Sequence, residues 1–468
     1  MSALKAQPSL RTDRLTVGVL LGISIIGFES LGIATALPVV SDALGGKSLY
    51  GWAFSAFLLG QLLGTVLAGT AADRIGSRRP MAVALVLFAT GLVIGTAAST
   101  MTVVVVGRAV AGAGSGAALM LNFAVIGTAY DESVRPRMVA ATQTAWIMPA
   151  LIGPAIAGPI AEHVSWRLVF GALVPVLAVV AWLVLPALTT APIDIDPALS
   201  SEGDERFITA TGRDRVLAAL TVTAGGAGLI VALDSRVLWR GIIIGAVGVG
   251  LCVFAGRVLF PAGTVRARPG LASIVLAYSL LLGGFIGIET FFPRTLDDVR
   301  GMSAFVGGLF LSGGTISWSA GAWLQSKRAL WWLRPSVRAL SALVFAVGVV
   351  TAGVLVVSGA PIPLALLGWV VAGLGMGTAF NAVTEAMYRS TPPERIGAAT
   401  SATQLGGSLV GAVTAGTNGT LNNIAGRLDW TARSASWLVL AFQISVMGLV
   451  VLGVSRVRVA GDETRGIR

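Results

Sequence analysis

Residues 15–40 read LTVGVLLGISIIGFESLGIATALPVV, an unbroken apolar stretch with one ionisable residue, Glu29, near its middle. About 20 apolar residues in a helix are enough to cross the hydrocarbon core of a bilayer. No basic residue stands between Arg14 and Lys47, so nothing in the stretch itself neutralises the carboxyl group. A charged side chain at that depth costs about 2.5–3.5 kcal/mol on insertion scales, so Glu29 is expected to face a polar interior. The second half repeats the feature: Gly27-Phe28-Glu29-Ser30 returns as Gly287-Ile288-Glu289-Thr290, again inside a long apolar run. These stretches decide the fold class, an all-α polytopic membrane protein with two carboxylates inside the membrane in matching places.

The rest of the composition agrees. Of the 468 residues 55% are hydrophobic and 12% charged, against about 25% charged in soluble domains. The 60 glycines lie largely within apolar runs, where they suit close helix packing. The net charge of +11 comes from short basic clusters between spans, which is a membrane-topology pattern and not a nucleic-acid surface. A single cysteine, Cys252, rules out an internal disulfide, and with the single histidine, His163, it makes a metal cluster unexpected. The first run lacks a small-residue cleavage site, so no cleavable signal is expected. No nucleophile–base constellation is visible, so neither an enzyme nor a bound cofactor is expected.

Fourteen spans are predicted: 15–40, 50–72, 80–99, 102–128, 136–161, 165–188, 213–232, 238–259, 270–293, 303–325, 335–358, 362–387, 396–420 and 433–456. With both termini on one side, 24 of the 33 basic residues fall there and 8 on the other. The positive-inside rule then makes both termini cytoplasmic, and a cell-membrane location is expected. The polar stretch from Thr189 to Gly212, with five acidic residues, separates six spans from eight. The organisation expected is a six-helix bundle (1–189), a linker with an inserted two-helix hairpin (190–268), and a second six-helix bundle with a tail (269–468).

An internal repeat supports two related bundles. Gly112, Gly114 and Gly116 precede Arg135-Pro136-Arg137 and then Met138-Val139-Ala140-Ala141-Thr142. In the second half Gly373, Gly375 and Gly377 precede Pro393-Glu394-Arg395 and then Ile396-Gly397-Ala398-Ala399-Thr400. Parallel repeats of this kind place a substrate path at their interface.

The loop after the second span reads Gly69-Thr-Ala-Ala-Asp73-Arg74-Ile-Gly76-Ser-Arg78-Arg79. It resembles the major facilitator superfamily signature G-x-x-x-D-R-x-G-x-R-R. The resemblance implies a conformational latch between bundles, built from Gly69, Asp73, Arg74, Gly76, Arg78 and Arg79, with Asp131 and Glu132 as partners for Arg78. Its counterpart in the second half, Gly321 to Arg328, lacks the aspartate. Arg108, followed by Gly112, is similar to the superfamily's fourth-span R-x-x-x-G motif, which implies a part in proton movement. The alternative for Arg108 is snorkelling to the nearby interface. Ala145 to Pro159 resembles the antiporter signature of exporters, G-x₇-G-P-x-x-G-G, with alanine at 145 and 157. Pro149, Gly153, Pro154 and Gly158 would then pack and bend that helix. Ala34-Thr35-Ala36-Leu37-Pro38 resembles the fourteen-span drug/proton antiporter branch.

A carboxyl group in a low-dielectric cavity has its charged form disfavoured, so it can carry a proton in one conformation and release it in another. Glu29, Glu289 and Arg108 are therefore the expected proton-coupling residues. Trp146, Gln143, Asn122, Trp318, Asn381 and Gln404 are candidates for a substrate cavity. The expected activity is proton-coupled export of amphipathic small molecules such as drugs. Its partners would be the lipid bilayer, protons and the substrate, with no nucleic acid and the proton gradient as the energy source. An exporter of lipids or of a native metabolite is the alternative in the same class, and a non-transporting scaffold or sensor the alternative in another. Glu385 reads as an ion pair with Arg389, and Asn418-Gly-Thr420 as a chance glycosylation sequon.

Overall fold

The computed structural model describes residues 10–130, 135–188, 211–327, 329–392 and 395–458, and every regular element among them is helical. A helix satisfies its backbone N–H and C=O groups within one segment, as hydrocarbon surroundings require. The first half contains α1 (Leu10–Ala43), α2 (Tyr50–Ile75), α3 (Arg78–Thr96), α4 (Met101–Ala129) and α5 (Arg135–Pro159). A π-helical turn (Ile160–Ser165) leads into α6 (Trp166–Gly171) and α7 (Leu173–Val184). The hairpin is α8 (Gly212–Asp234) with α9 (Leu238–Leu259). The second half contains α10 (Leu271–Arg300), α11 (Ala304–Lys327), α12 (Pro335–Ser358), α13 (Ile362–Ser390), α14 (Ile396–Arg427) and α15 (Ala432–Ser455).

Among the described residues, 11 helical segments are long and apolar enough to cross a membrane, against the fourteen expected. Part of the difference is a merger, since the expected spans 136–161 and 165–188 contribute one apolar segment, Leu151–Ala187. The rest is α11 and α14, which have 24 and 32 residues but are not among the apolar segments. Their glycines, hydroxyls and amides have a structural reason: α11 packs against α5 and α14 against α2 in the other bundle. A helix whose neighbour is protein has less lipid to face.

The helix pairings repeat. In the first bundle α4 packs on α2 and α3, while α1 packs on α5 and α7. In the second, α13 packs on α11 and α12, while α10 packs on α14 and α15. The hairpin stands outside this scheme, with α8 lying against both α2 and α14.

The bundles are tied together towards the end at which Asp42 lies. There Arg294 donates to Ser41 Oγ at 3.1 Å and to Asp42 at 3.4 Å, and pairs with Asp298 at 2.6 Å. The Tyr50 hydroxyl donates to the Thr290 carbonyl at 3.3 Å, and Asn423 donates to the Ser48 carbonyl at 2.9 Å. The Glu162 carboxylate accepts from the Ala304 amide at the start of α11. Nearer mid-membrane Ser55 donates to the Ala412 carbonyl at 2.8 Å, and Ser408 to Gln61 at 3.3 Å.

Candidate coupling site

Residues 108, 112 and 116 lie on one stripe of α4, spaced by four. A β-carbon at Gly112 or Gly116 would collide with the backbone of α2 at Phe57 or Gln61, and one at Gly114 with that of α3 at Phe88. The glycines thus bring α4 against both neighbours, and Arg108, one turn before Gly112, is carried into the bundle. Its guanidinium pairs with Glu29 of α1, donates through Nε to the Ala53 carbonyl at 3.1 Å, and lies 4.1 Å above the Phe57 ring centroid. Glu29 is 0% exposed and Arg108 3%. Snorkelling does not describe Arg108. The second carboxylate oxygen of Glu29, Oε2, has no hydrogen-bond partner among the described residues.

The second half does not copy this pair. One turn before its first glycine, Gly373, stands Trp369 where the first half has Arg108. Trp369 is fully buried and stacks on Phe285 (5.6 Å, 16°), with Phe292 5.0 Å away edge-on. Glu289 is half-buried and makes no hydrogen bond or ion pair among the described residues. Its neighbours Gly287 and Thr290 belong to a buried amide network. Asn418 donates to the Gly287 carbonyl at 2.7 Å and to Thr290 at 2.9 Å, and Gln443 donates to Asn418 at 2.7 Å. Asn418 is 4% exposed, because α14 continues to Arg427 and not to residue 420 as expected. The chance reading of the sequon therefore holds, and Asn418 is an interior polar residue engaged in this network.

The antiporter-like helix α5 uses two faces. Pro149 and Gly153 lie against Gly27 and Phe28 of α1, and the Ala145 carbonyl accepts from Ser24 at 2.9 Å. Pro154 and Gly158 lie against Gly308 and Phe305 of α11. The helix is therefore shared between the Glu29 helix and the other bundle.

The substrate-cavity candidates divide. Trp318 contacts Phe285 (4.8 Å) and Phe380 (5.2 Å); Tyr278 contacts Phe380 (4.6 Å) and donates to Gln404 at 3.0 Å. Trp318 and Gln404 are so joined through two rings. Trp146 packs on Gly27, close to Glu29 along α1. Asn122 is buried beside Gly22 of α1, within the first bundle. Asn381 is half-buried on α13. The Gln143 side chain lies outside the described residues.

In the latch loop Gly76 ends α2 with φ 75°, a conformation glycine adopts without strain, and its amide donates to the Ala72 carbonyl at 3.0 Å. Asp131 and Glu132 lie outside the described residues. Among the described residues Arg74, Arg78 and Arg79 form no ion pair, while the charge of Arg215 on the hairpin reaches Asp73. Glu385 does pair with Arg389, at 2.6 Å. Sequence reading also missed Arg294. It stands one residue past a predicted span end, and its partner Asp42 is remote in sequence.

The fold and this site define a polytopic transporter built from two repeated bundles. The chain belongs to the Major Facilitator Superfamily, whose family model matches residues 19–415. A protein of Mycobacterium tuberculosis (strain ATCC 25618 / H37Rv) described as a "probable multidrug-efflux transporter" is 26% identical over 420 residues, 86% of each chain. Azole resistance protein 1 of Saccharomyces cerevisiae is 26% identical over 178 residues, covering 37% of this chain and 29% of that one. Among solved structures, an auto-inhibited POT family peptide transporter superposes with TM-score 0.65 at 16% identity, covering 96% of this chain and 98% of that one. A D-xylose–proton symporter gives 0.64 at 17% identity, covering 94% and 97%. At such identities the structures show the fold they share with this chain.

Proposed function

We propose that this transporter exports amphipathic small molecules from the cell in exchange for protons, with Glu29 as the proton carrier. The buried Glu29–Arg108 pair, with Glu29 Oε2 unengaged, is the observation that carries this reading. The basic-residue asymmetry puts the Arg74 end of the bundles in the cytoplasm and the Asp42 end outside. When Glu29 takes a proton, Arg108 is left as a buried charge with only a carbonyl and a ring face. Losing one partner of a buried pair costs about 3–5 kcal/mol. Swinging a two-state equilibrium from 1:99 to 99:1 takes about 5.5 kcal/mol. One proton at Glu29 is thus of the right size to move the balance between two conformations. Because Arg108 spans α1, α2 and α4, and α5 joins α1 to α11, the change reaches the other bundle.

Glu289 stands one turn past Phe285 on α10 and serves as the second titratable group. The aromatic wall suits an amphipathic substrate, and the efflux protein of M. tuberculosis supports the direction of transport. The test is efflux from proteoliposomes of cationic, neutral and lipidic compounds, with and without an imposed pH gradient. Accumulation against a concentration gradient only when the pH gradient is present is expected. Efflux indifferent to pH refutes proton exchange, and no transport of any compound class refutes the substrate reading.

A further inference from the structure

The turn that joins α10 to α11, residues 294–304, is gripped at both ends by the first bundle. At its start Arg294, 8% exposed, reaches α1 and donates to Ser41 Oγ at 3.1 Å and to Asp42 at 3.4 Å. The Tyr50 ring centroid lies 5.6 Å from its guanidinium. At the far end of the turn the Ala304 amide donates to the Glu162 carboxylate, which the π-helical turn after α5 presents. The first amides of a helix lack partners within it, and the partial positive charge there favours an anion. In α11 Ser303 accepts from the Val306 amide at 3.4 Å through Oγ and from the Gly307 amide at 3.0 Å through its carbonyl. The Ala304 amide goes to Glu162, a residue of the other bundle.

Glycines bring these groups within reach. A β-carbon on Gly158 would stand 2.7 Å from the Phe305 backbone, and one on Gly308 would stand 2.7 Å from Pro154 and 2.8 Å from Thr35. Without those side chains α1 and α5 close on the first turns of α11. The gripped turn is itself stiff. Gly301, at φ 59°, ends α10 with its amide on the Asp297 carbonyl at 2.9 Å, and the Met302 amide follows onto Leu296 at 3.0 Å. Arg300 donates to the Ala360 carbonyl just past α12 at 2.9 Å, so the turn moves with its own bundle.

Alternating access is largely a rocking of one bundle against the other, so a contact that joins them at one end must break when that end opens. We propose that Glu162 and Arg294 form a clasp that holds the external end shut, and that substrate leaves only after both have let go of the opposite bundle. Glu162 reaches out of the first bundle and Arg294 out of the second, so one relative movement releases both. The pairs Lys47–Asp42, at 3.1 Å, and Arg294–Asp298, at 2.6 Å, each lie within one bundle and survive the opening. They keep Asp42 and Arg294 paired in both states, which lowers the cost of letting go. Calling this end external rests on the orientation used in the export reading; the clasp itself does not.

The test reads thiol reactivity in the full-length protein in lipid nanodiscs, where reagent reaches both faces and neither substrate nor pH gradient is needed. The reporter is Thr35→Cys in a Cys252→Ser background. Thr35 is 0% exposed and lies against Gly308, one turn after Ala304. A second reporter, Val349→Cys, is equally buried on α12, which packs on α13 and α15 of its own bundle. Glu162→Gln keeps the shape and removes the charge. It should raise the rate at position 35 about fivefold, the factor expected for a charge at a helix N-terminus. Arg294→Gln should raise it at least as much, and the double variant by the product of the two, because both contacts weigh on one equilibrium. Position 349 should stay unreactive throughout. Should Arg294→Gln not fold, Asp42→Asn, at a position 42% exposed, should still give about twofold. An unchanged rate at position 35 in Glu162→Gln, or equal rises at positions 35 and 349, overturns the proposal. Failure of the export reading would show only in the efflux assay and leave the clasp result standing.

Discussion

Glu29→Gln separates the charge of the site from its shape. The substitution keeps the volume and leaves Arg108 with an amide oxygen, the Ala53 carbonyl at 3.1 Å and the Phe57 ring as its surroundings. Removing one charge of a buried pair costs about 3–5 kcal/mol. Since glutamine still accepts one hydrogen bond, its cost falls at the low end, about 3 kcal/mol, and that of Glu29→Ala near the upper end. Adding Arg108→Met to Glu29→Gln removes the orphaned charge, and replacing both members of a buried pair is often close to neutral. The double variant should therefore recover to within about 1 kcal/mol of the wild type. Unfolding in detergent or lipid, read as a double-mutant cycle, measures the coupling. In proteoliposomes both variants should lose efflux driven by a pH gradient, while binding of a neutral substrate persists and its pH dependence flattens. Additive stability effects in the cycle would refute the pair as an energetic unit. Retained pH-driven efflux in Glu29→Gln and in the Glu29→Gln, Glu289→Gln double variant would refute the coupling role.

Three further outcomes are expected. Asp73→Asn should fold normally and slow the transport cycle, as a drop in turnover at unchanged substrate binding; unchanged turnover removes the latch role. Asn418→Ala deletes the donor to Gly287 and Thr290 and the acceptor for Gln443, so it should destabilise by about 2–4 kcal/mol in an unfolding titration; no loss would mean that the network is dispensable. In a Cys252→Ser background, cysteines at Ser2 and Gly466 should react with an impermeant maleimide only from the cytoplasmic side, and external labelling would reverse the orientation.

The spans, the repeat and the superfamily motifs were legible from residue order alone, because each is a local statement. A run of about 20 apolar residues needs a bilayer wherever it packs, and a glycine triplet repeated with the same flanks needs no coordinates to be recognised. Glu29 and Arg108 could each be singled out as ionisable groups too deep in an apolar run. That they meet is a tertiary fact, since 79 positions separate them and the meeting depends on glycine contacts that seat α4 against α2 and α3. The same holds for Arg294 with Asp42, 252 positions apart, and for Asn418, whose place in the interior follows from where α14 ends and what surrounds it. The count of spans showed the converse limit: α11 and α14 stand as helices where the spans 303–325 and 396–420 were expected, yet they are not among the apolar segments, and each packs against a helix of the other bundle. Which half keeps a buried charge and which fills the matching place with Trp369, and which helices the hairpin lies against, was decided only by packing. Residue order specifies what each segment needs around it; the assembled helices determine which neighbour supplies it.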